Sequence, residues 1–282
     1  MRPLWLEERD YPFASHFLEV DGGRLHYVDE GDGEPILMVH GQPSWSFMYR
    51  HLIRGLSPKT RCIAVDHIGF GLSDKPRDWS YKPSQHAENL AALVEHLDLE
   101  SITLVVHDWG GPIGLGFAIA HRERIRRIVA FDTWMWSMAE HAAARWFSRI
   151  MGSSVGQFGT KRFNLFVDVF MKSALGPAWP AVSAAYRGPF ERPSDRRGCA
   201  LFPRMLCDPW LEELWLQRET LREIPARLIW GGADPAFPAL MRERLASVFD
   251  ECEVSVHDGI GHFVPEELGE QVTPLVEKFL EI

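Results

Sequence analysis

Leu104-Val105-Val106-His107-Asp108-Trp109-Gly110-Gly111 is the stretch that decides the fold. An apolar run of strand length ends at a carboxylate, and two glycines follow where an apolar segment of helical length begins. The pattern predicts a buried strand turning sharply into a helix, with Gly110 small enough to permit the bend. A nucleophile elbow has this form. Its usual version places Gly two residues before and two after a Ser, whereas here Val106 occupies the first position and Asp108 the corner. The structural alternative is that Asp108 simply N-caps the helix that follows.

The segments on either side repeat the theme. Continuous apolar runs at Pro35 to Val39, Cys62 to Val65, Ile102 to Val106 and Ile125 to Phe131 read as parallel strands covered on both faces. Amphipathic stretches at about Trp45 to Leu56, Ser84 to Leu97 and Gly110 to His121 alternate with them, as in a doubly wound α/β sheet. Ahead of these, His16 to Val20 and Arg24 to Asp29 flank Asp21-Gly22-Gly23 and predict an antiparallel hairpin at the sheet edge. The alternation resumes only at Ala226 to Trp230, followed by a strand at Cys252 to Val256 and a last helix from Glu267. Residues 134–223 are rich in Trp, Phe and Met and are broken by prolines at 177, 180, 189, 193, 203 and 209. They read as a helical cap domain inserted late into a core made of residues 1–133 and 224–282. Such a cap would cover the carboxyl ends of the strands, where ligands of these sheets bind.

Composition bounds the function. With 46% hydrophobic and 24% charged residues the 282-residue chain is an ordinary globular protein, and eleven Trp and seventeen Phe suit either a filled core or an apolar-ligand pocket. A formal charge of −9 argues against nucleic acid as a partner and disfavours anionic membranes. Met1-Arg2-Pro3-Leu4-Trp5-Leu6 runs straight into Glu7-Glu8-Arg9-Asp10, so neither an export signal nor a membrane span is expected. Cys62, Cys199, Cys207 and Cys252 are scattered without metal-site spacing, which points to free thiols and a cytoplasmic location.

Three further positions join Asp108. In His40-Gly41-Gln42-Pro43 a tight turn after the first parallel strand can aim the Gln42 backbone N–H at the elbow, with the Trp109 N–H as its partner in an oxyanion hole. Gly259-Ile260-Gly261-His262-Phe263 presents His262 after the last strand, where the order nucleophile, acid, histidine places the base. The acid that orients the imidazole is expected to be Asp234, beyond the strand ending in Trp230-Gly231-Gly232. Asp132, at the end of the preceding core strand, is the alternative.

His40 to Phe47, Asp66-His67-Ile68-Gly69-Phe70-Gly71-Leu72-Ser73 and His107-Asp108-Trp109-Gly110-Gly111 together resemble the haloalkane dehalogenases, α/β-hydrolases, over essentially the full chain. The segment Tyr186-Arg187-Gly188-Pro189-Phe190 is similar as well, and the Asp234-type acid resembles the subfamily with an Asp, His, Asp triad. The resemblance implies a small apolar halogenated substrate, a detoxifying role, no cofactor and no metal, with the oligomeric state open between monomer and homo-oligomer. It also implies that Asp108 displaces halide to form an alkyl ester, that the Trp109 indole and the Gln42 amide hold the departing halide ion, and that His262 activates the water that cleaves the ester. The family commonly has Asn where this chain has Gln42, and no cap Trp stands at a matched position: Trp134, Trp136, Trp146 and Trp179 are the candidates, with core filling the expected role of each. Two other readings stand beside this one. An epoxide hydrolase would share the Asp nucleophile but typically uses two cap tyrosines, whereas Tyr186 is the one tyrosine in residues 134–223. A non-catalytic protein that binds apolar ligands on the same fold is the other.

Overall fold

The computed structural model describes residues 3–282; Met1 and Arg2, the start of the N-terminal stretch read above, lie outside the described residues. One eight-stranded sheet has the order β1-β2-β4-β3-β5-β6-β7-β8. The strands are β1 (His16–Val20), β2 (Gly23–Glu30), β3 (Pro35–Val39), β4 (Arg61–Val65), β5 (Ile102–Asp108), β6 (Ile125–Thr133), β7 (Ala226–Gly231) and β8 (Cys252–His257). The expected hairpin is present: β1 pairs antiparallel with β2, which pairs antiparallel with β4, and every later pairing is parallel. Strands β3, β5 and β7 are buried along nearly their whole length, as their unbroken apolar runs require. At the far edge β8 alternates between exposed and half-buried positions, since nothing in the sheet lies beyond it.

The helices are α1 (Arg50–Leu56), α2 (Pro83–His96), α3 (Gly110–Ala120), α4 (Ala142–Met151), α5 (Ser154–Phe163), α6 (Lys172–Leu175), α7 (Trp179–Arg187), α8 (Arg197–Leu201), α9 (Pro209–Leu216), α10 (Ala239–Ala246), α11 (Val264–Leu268) and α12 (Val272–Leu280). The segment expected to be one helix from Glu267 onward is therefore two, joined by a 3-10 turn over Gly269–Gln271. Likewise the stretch from Trp45 opens as a 3-10 turn, Ser46–Tyr49, before α1. Helices α4 to α9 all lie between β6 and β7 in the chain, joined by 3-10 turns and one π-helical turn, Phe166–Met171. All six prolines of this insertion sit in the first turn of a helical segment, where a missing N–H costs no hydrogen bond. They start helices rather than merely interrupting them.

A buried ion pair outside the insertion receives one of its side chains. Arg50 on α1 donates two 2.6 Å hydrogen bonds to the Glu266 carboxylate on α11, and the Tyr186 hydroxyl of α7 donates a third of the same length. With every oxygen of the carboxylate engaged, the charges are paired in the way that makes burial tolerable.

The strand ends and their carboxylates

Asp108, Gln42, Asp132, Asp234 and His262 all lie at or just beyond the carboxyl ends of adjacent parallel strands, β5, β3, β6, β7 and β8. Asp108 has φ of 51°, a left-handed conformation costing a non-glycine residue about 1–3 kcal/mol. That turn projects its side chain off the end of the sheet. Oδ1 accepts the Gln42 backbone N–H at 2.7 Å, and Oδ2 faces His262 Nε2 at 3.6 Å. Trp109 serves as the N-cap of α3 with no side-chain capping bond, so Asp108 is not spent on the helix. The glycines around it are needed for close approach. A Cβ on Gly110 would lie 2.0 Å from the Val39 carbonyl oxygen, and one on Gly41 2.2 Å from Asp108 Oδ1.

His262 is held on both sides. Its Nδ1 donates to Asp234 Oδ2 at 2.8 Å, while Asp234 Oδ1 accepts the Ala236 N–H at 2.7 Å. The Phe237 ring stacks on the imidazole with centroids 5.1 Å apart and planes 10° from parallel. Burial alone would lower the His262 pKa, but the Asp234 and Asp108 carboxylates outweigh it and hold the imidazole well above its ordinary value. Asp234 in turn is kept below the usual carboxylate range, because the His262 cation and its hydrogen bond outweigh desolvation.

Asp132 does not reach the imidazole as a hydrogen-bond partner. The β5–β6 register passes from His107 opposite Phe131 to Asp108 opposite Thr133, so Asp132 is the extra residue of a β-bulge. With φ of 23° its carboxyl turns toward β7 and accepts the Gly231 N–H through both oxygens, at 3.2 and 3.1 Å. Burial, with the nearby Asp234 charge, pushes it up to about 9, so at neutral pH it is a neutral acid.

Two supports lie outside the residues that the sequence singled out. The buried His107, whose pKa is lowered to about 3 by desolvation, donates from Nε2 to the His262 carbonyl oxygen at 2.8 Å. Glu267 accepts the N–H groups of Gly261 and Phe263 at 2.8 and 3.0 Å and so braces the loop that carries His262. Its position four residues after Phe263, the N-cap of α11, was the available signal.

A cavity of about 930 Å³ opens above these residues, bounded by Asp108, Trp109, His262, Trp134 and Phe237 among others. The sequence left four tryptophans as candidates for its wall. Trp134 lines it, packing edge-on against Trp109 at 4.9 Å, and its buried indole N–H has no partner among the described residues. Trp136 instead packs against Trp215, Trp179 lies under Arg187, and Trp146 is exposed. Gln42 also lines the cavity, but its side-chain amide donates to the Cys199 carbonyl oxygen of α8 at 2.9 Å. Tyr186, fully buried on Glu266, is not part of the wall. That removes the hydroxyl on which the epoxide reading drew.

A corner carboxylate, an imidazole and a second carboxylate at successive strand ends, with helices α4 to α9 inserted between β6 and β7, make the arrangement of an α/β-hydrolase, and a family profile described as alpha/beta hydrolase fold matches residues 34–267. Within that class the chain belongs to the haloalkane dehalogenase family, hydrolases of carbon–halogen bonds. Haloalkane dehalogenase 2 of Mycobacterium tuberculosis is 37% identical over 278 residues, 95% of this chain and 96% of that protein. The crystal structure of a haloalkane dehalogenase from Bradyrhizobium elkani superposes with a TM-score of 0.84 at 25% identity, covering 95% of this chain and 99% of that one. A cis-3-alkyl-4-alkyloxetan-2-one decarboxylase of Shewanella oneidensis is also similar, 32% identical over 284 residues, 95% of this chain and 89% of that protein.

Proposed function

We propose that this chain hydrolyses a haloalkane through an alkyl ester on Asp108, beneath a cap formed by residues 134–223. The observation that carries the reading is a carboxylate oxygen 3.6 Å from an imidazole in an apolar cavity. Asp108 Oδ2 attacks the halogen-bearing carbon from the back. The C–O bond forms as the C–X bond breaks, and halide departs toward the Trp109 and Trp134 indole edges, which donate only. Alkylation also cancels the Asp108 charge. His262 thereby loses one of the two carboxylates that keep it protonated, releases its proton to solvent and becomes the base the second step requires. It then takes a proton from water as the hydroxide adds to the ester carbonyl carbon, with the Gln42 N–H beside the developing oxyanion. Ester cleavage frees the alcohol and restores Asp108, for a net yield of alcohol, halide and one proton.

His262→Phe tests the mechanism. Incubated with a bromoalkane, the variant protein should gain the mass of one alkyl group on Asp108 and release about one halide per chain, with no further turnover. Sustained turnover would remove His262 from the role of base.

A second reading is favoured by one observation. With one N–H of its amide engaged by Cys199, Gln42 has a single side-chain donor left for a halide, and a β-lactone substrate needs none. Asp108 would displace the ring oxygen at carbon 4 of a dialkyl oxetanone, generating an ester and a free carboxylate. Loss of CO2 would then form the alkene and expel Asp108. Halide ion from a bromoalkane, measured against alkene from a dialkyl β-lactone with the same preparation, separates the two readings.

A further inference from the structure

Eight of the fifteen large apolar side chains exposed among the described residues fall within residues 146–170, so the excess belongs to one stretch of the insertion, where α4 and α5 pack together, rather than to the surface at large. Trp146 and Ile150 project from α4, Val155, Phe158 and Phe163 from α5, and Val169 from the π-helical turn, with Trp146 58% and Val155 81% exposed. Phe147 and Phe170 are exposed too and line the cavity, which places them at its mouth. The two rings touch, with centroids 6.0 Å apart.

Charge on this face runs opposite to that of the whole chain. Residues 141–187 contain six Lys and Arg and a single acid, Asp168, whose carboxylate is already paired with Arg187. The chain as a whole carries −9. Arg149 stands over the Trp146 ring and Arg162 over Phe163, each with its guanidinium within 6 Å of the centroid, at 5.7 and 5.3 Å. At physiological salt the Debye length is about 8 Å, so a surface that touches this stretch responds to the charges beside it rather than to the total over the chain.

We propose that this face seats the enzyme on an anionic lipid surface, with the cavity mouth turned toward the acyl chains from which an apolar substrate enters. The cargo, though not the docking, rests on the cavity being the substrate site. Aromatic and aliphatic side chains interleaved with Lys and Arg match the headgroup boundary, where rings bury and cations meet phosphate. A second copy bound face to face would set these basic groups against one another. The net acidity read from the whole sequence as disfavouring anionic membranes averages over groups that do not share this surface.

Flotation of the full chain with vesicles of equal parts phosphatidylglycerol and phosphatidylcholine should recover bound protein, with less on pure phosphatidylcholine and progressive loss as salt rises. Arg149→Gln, Arg162→Gln and Lys172→Gln should each weaken binding about fivefold. The pair Trp146→Ser and Ile150→Ser should weaken it at least about tenfold. Halide release from a short, water-dissolved bromoalkane should be unaltered in all of them, which separates failure of docking from failure of the reaction. Absence of binding to the anionic vesicles, or binding indifferent to these substitutions, overturns the proposal. So does a dimer, seen by sedimentation, that the same substitutions dissociate.

Discussion

The Gln42 side-chain amide donates to the Cys199 carbonyl oxygen at 2.9 Å, joining the loop after β3 to a helix 157 residues further along the chain. The methylene by which Gln exceeds Asn is what lets this amide reach past the cavity to α8. Shortening it is therefore expected to do two things. Gln42→Asn should release halide from short bromoalkanes about tenfold faster, the value of one added hydrogen bond to an ion, while losing about 1 kcal/mol of stability with the broken tie. Halide release unchanged beside a lowered Tm would mean that the freed amide does not face the leaving group.

Trp134 carries a buried N–H without a partner among the described residues, in the wall beside Trp109. An orphaned donor costs stability, whereas a donor facing an anion aids binding. Trp134→Phe should consequently leave Tm unchanged or raised and weaken bromide inhibition about tenfold. A fall in Tm with inhibition intact would make Trp134 a packing residue only.

The two acids at the strand ends predict unequal losses. Asp234 bonds the imidazole at 2.8 Å, and Asp132 bonds the Gly231 N–H. Asp234→Asn should lower the rate by about a thousandfold or more, because an amide cannot stabilise the imidazolium. Asp132→Asn, which retains an acceptor for Gly231, should cost less than about tenfold. The reverse order in single-turnover assays would exchange their roles.

Asp132 also makes stability depend on pH. Its carboxyl binds a proton up to about pH 9 when folded, against an ordinary carboxylate value of 3.8. Between those values the folded state holds more protons than the unfolded chain, so this group's contribution declines as pH rises through that window. Asp132→Asn should abolish the decline. Its Tm should exceed that of the parent at pH 8 by at least about 2–4 °C, the shift per kcal/mol for a protein of this size, and the gap should close near pH 4. Parallel melting curves at both pH values would show that Asp132 is ionised in the folded protein.

The alternation of strands and helices, the corner at Asp108, and the chain order of Asp108, Asp234 and His262 were legible from residues close in sequence. Apolar runs and glycine spacing are local, and each records what a short segment must bury or how it must bend. The bulge at Asp132, the engagement of Gln42 by Cys199, and the choice of Trp134 over three other tryptophans were not. Each depends on segments tens to hundreds of residues apart arriving at one place, and such pairings have no period to read. The sequence alone thus determined the architecture and which side chains stand at its strand ends. Only tertiary packing decided what Asp132 bonds, which amide is already engaged, and where exposed apolar and basic side chains gather, because distance in space is not encoded as spacing along the chain.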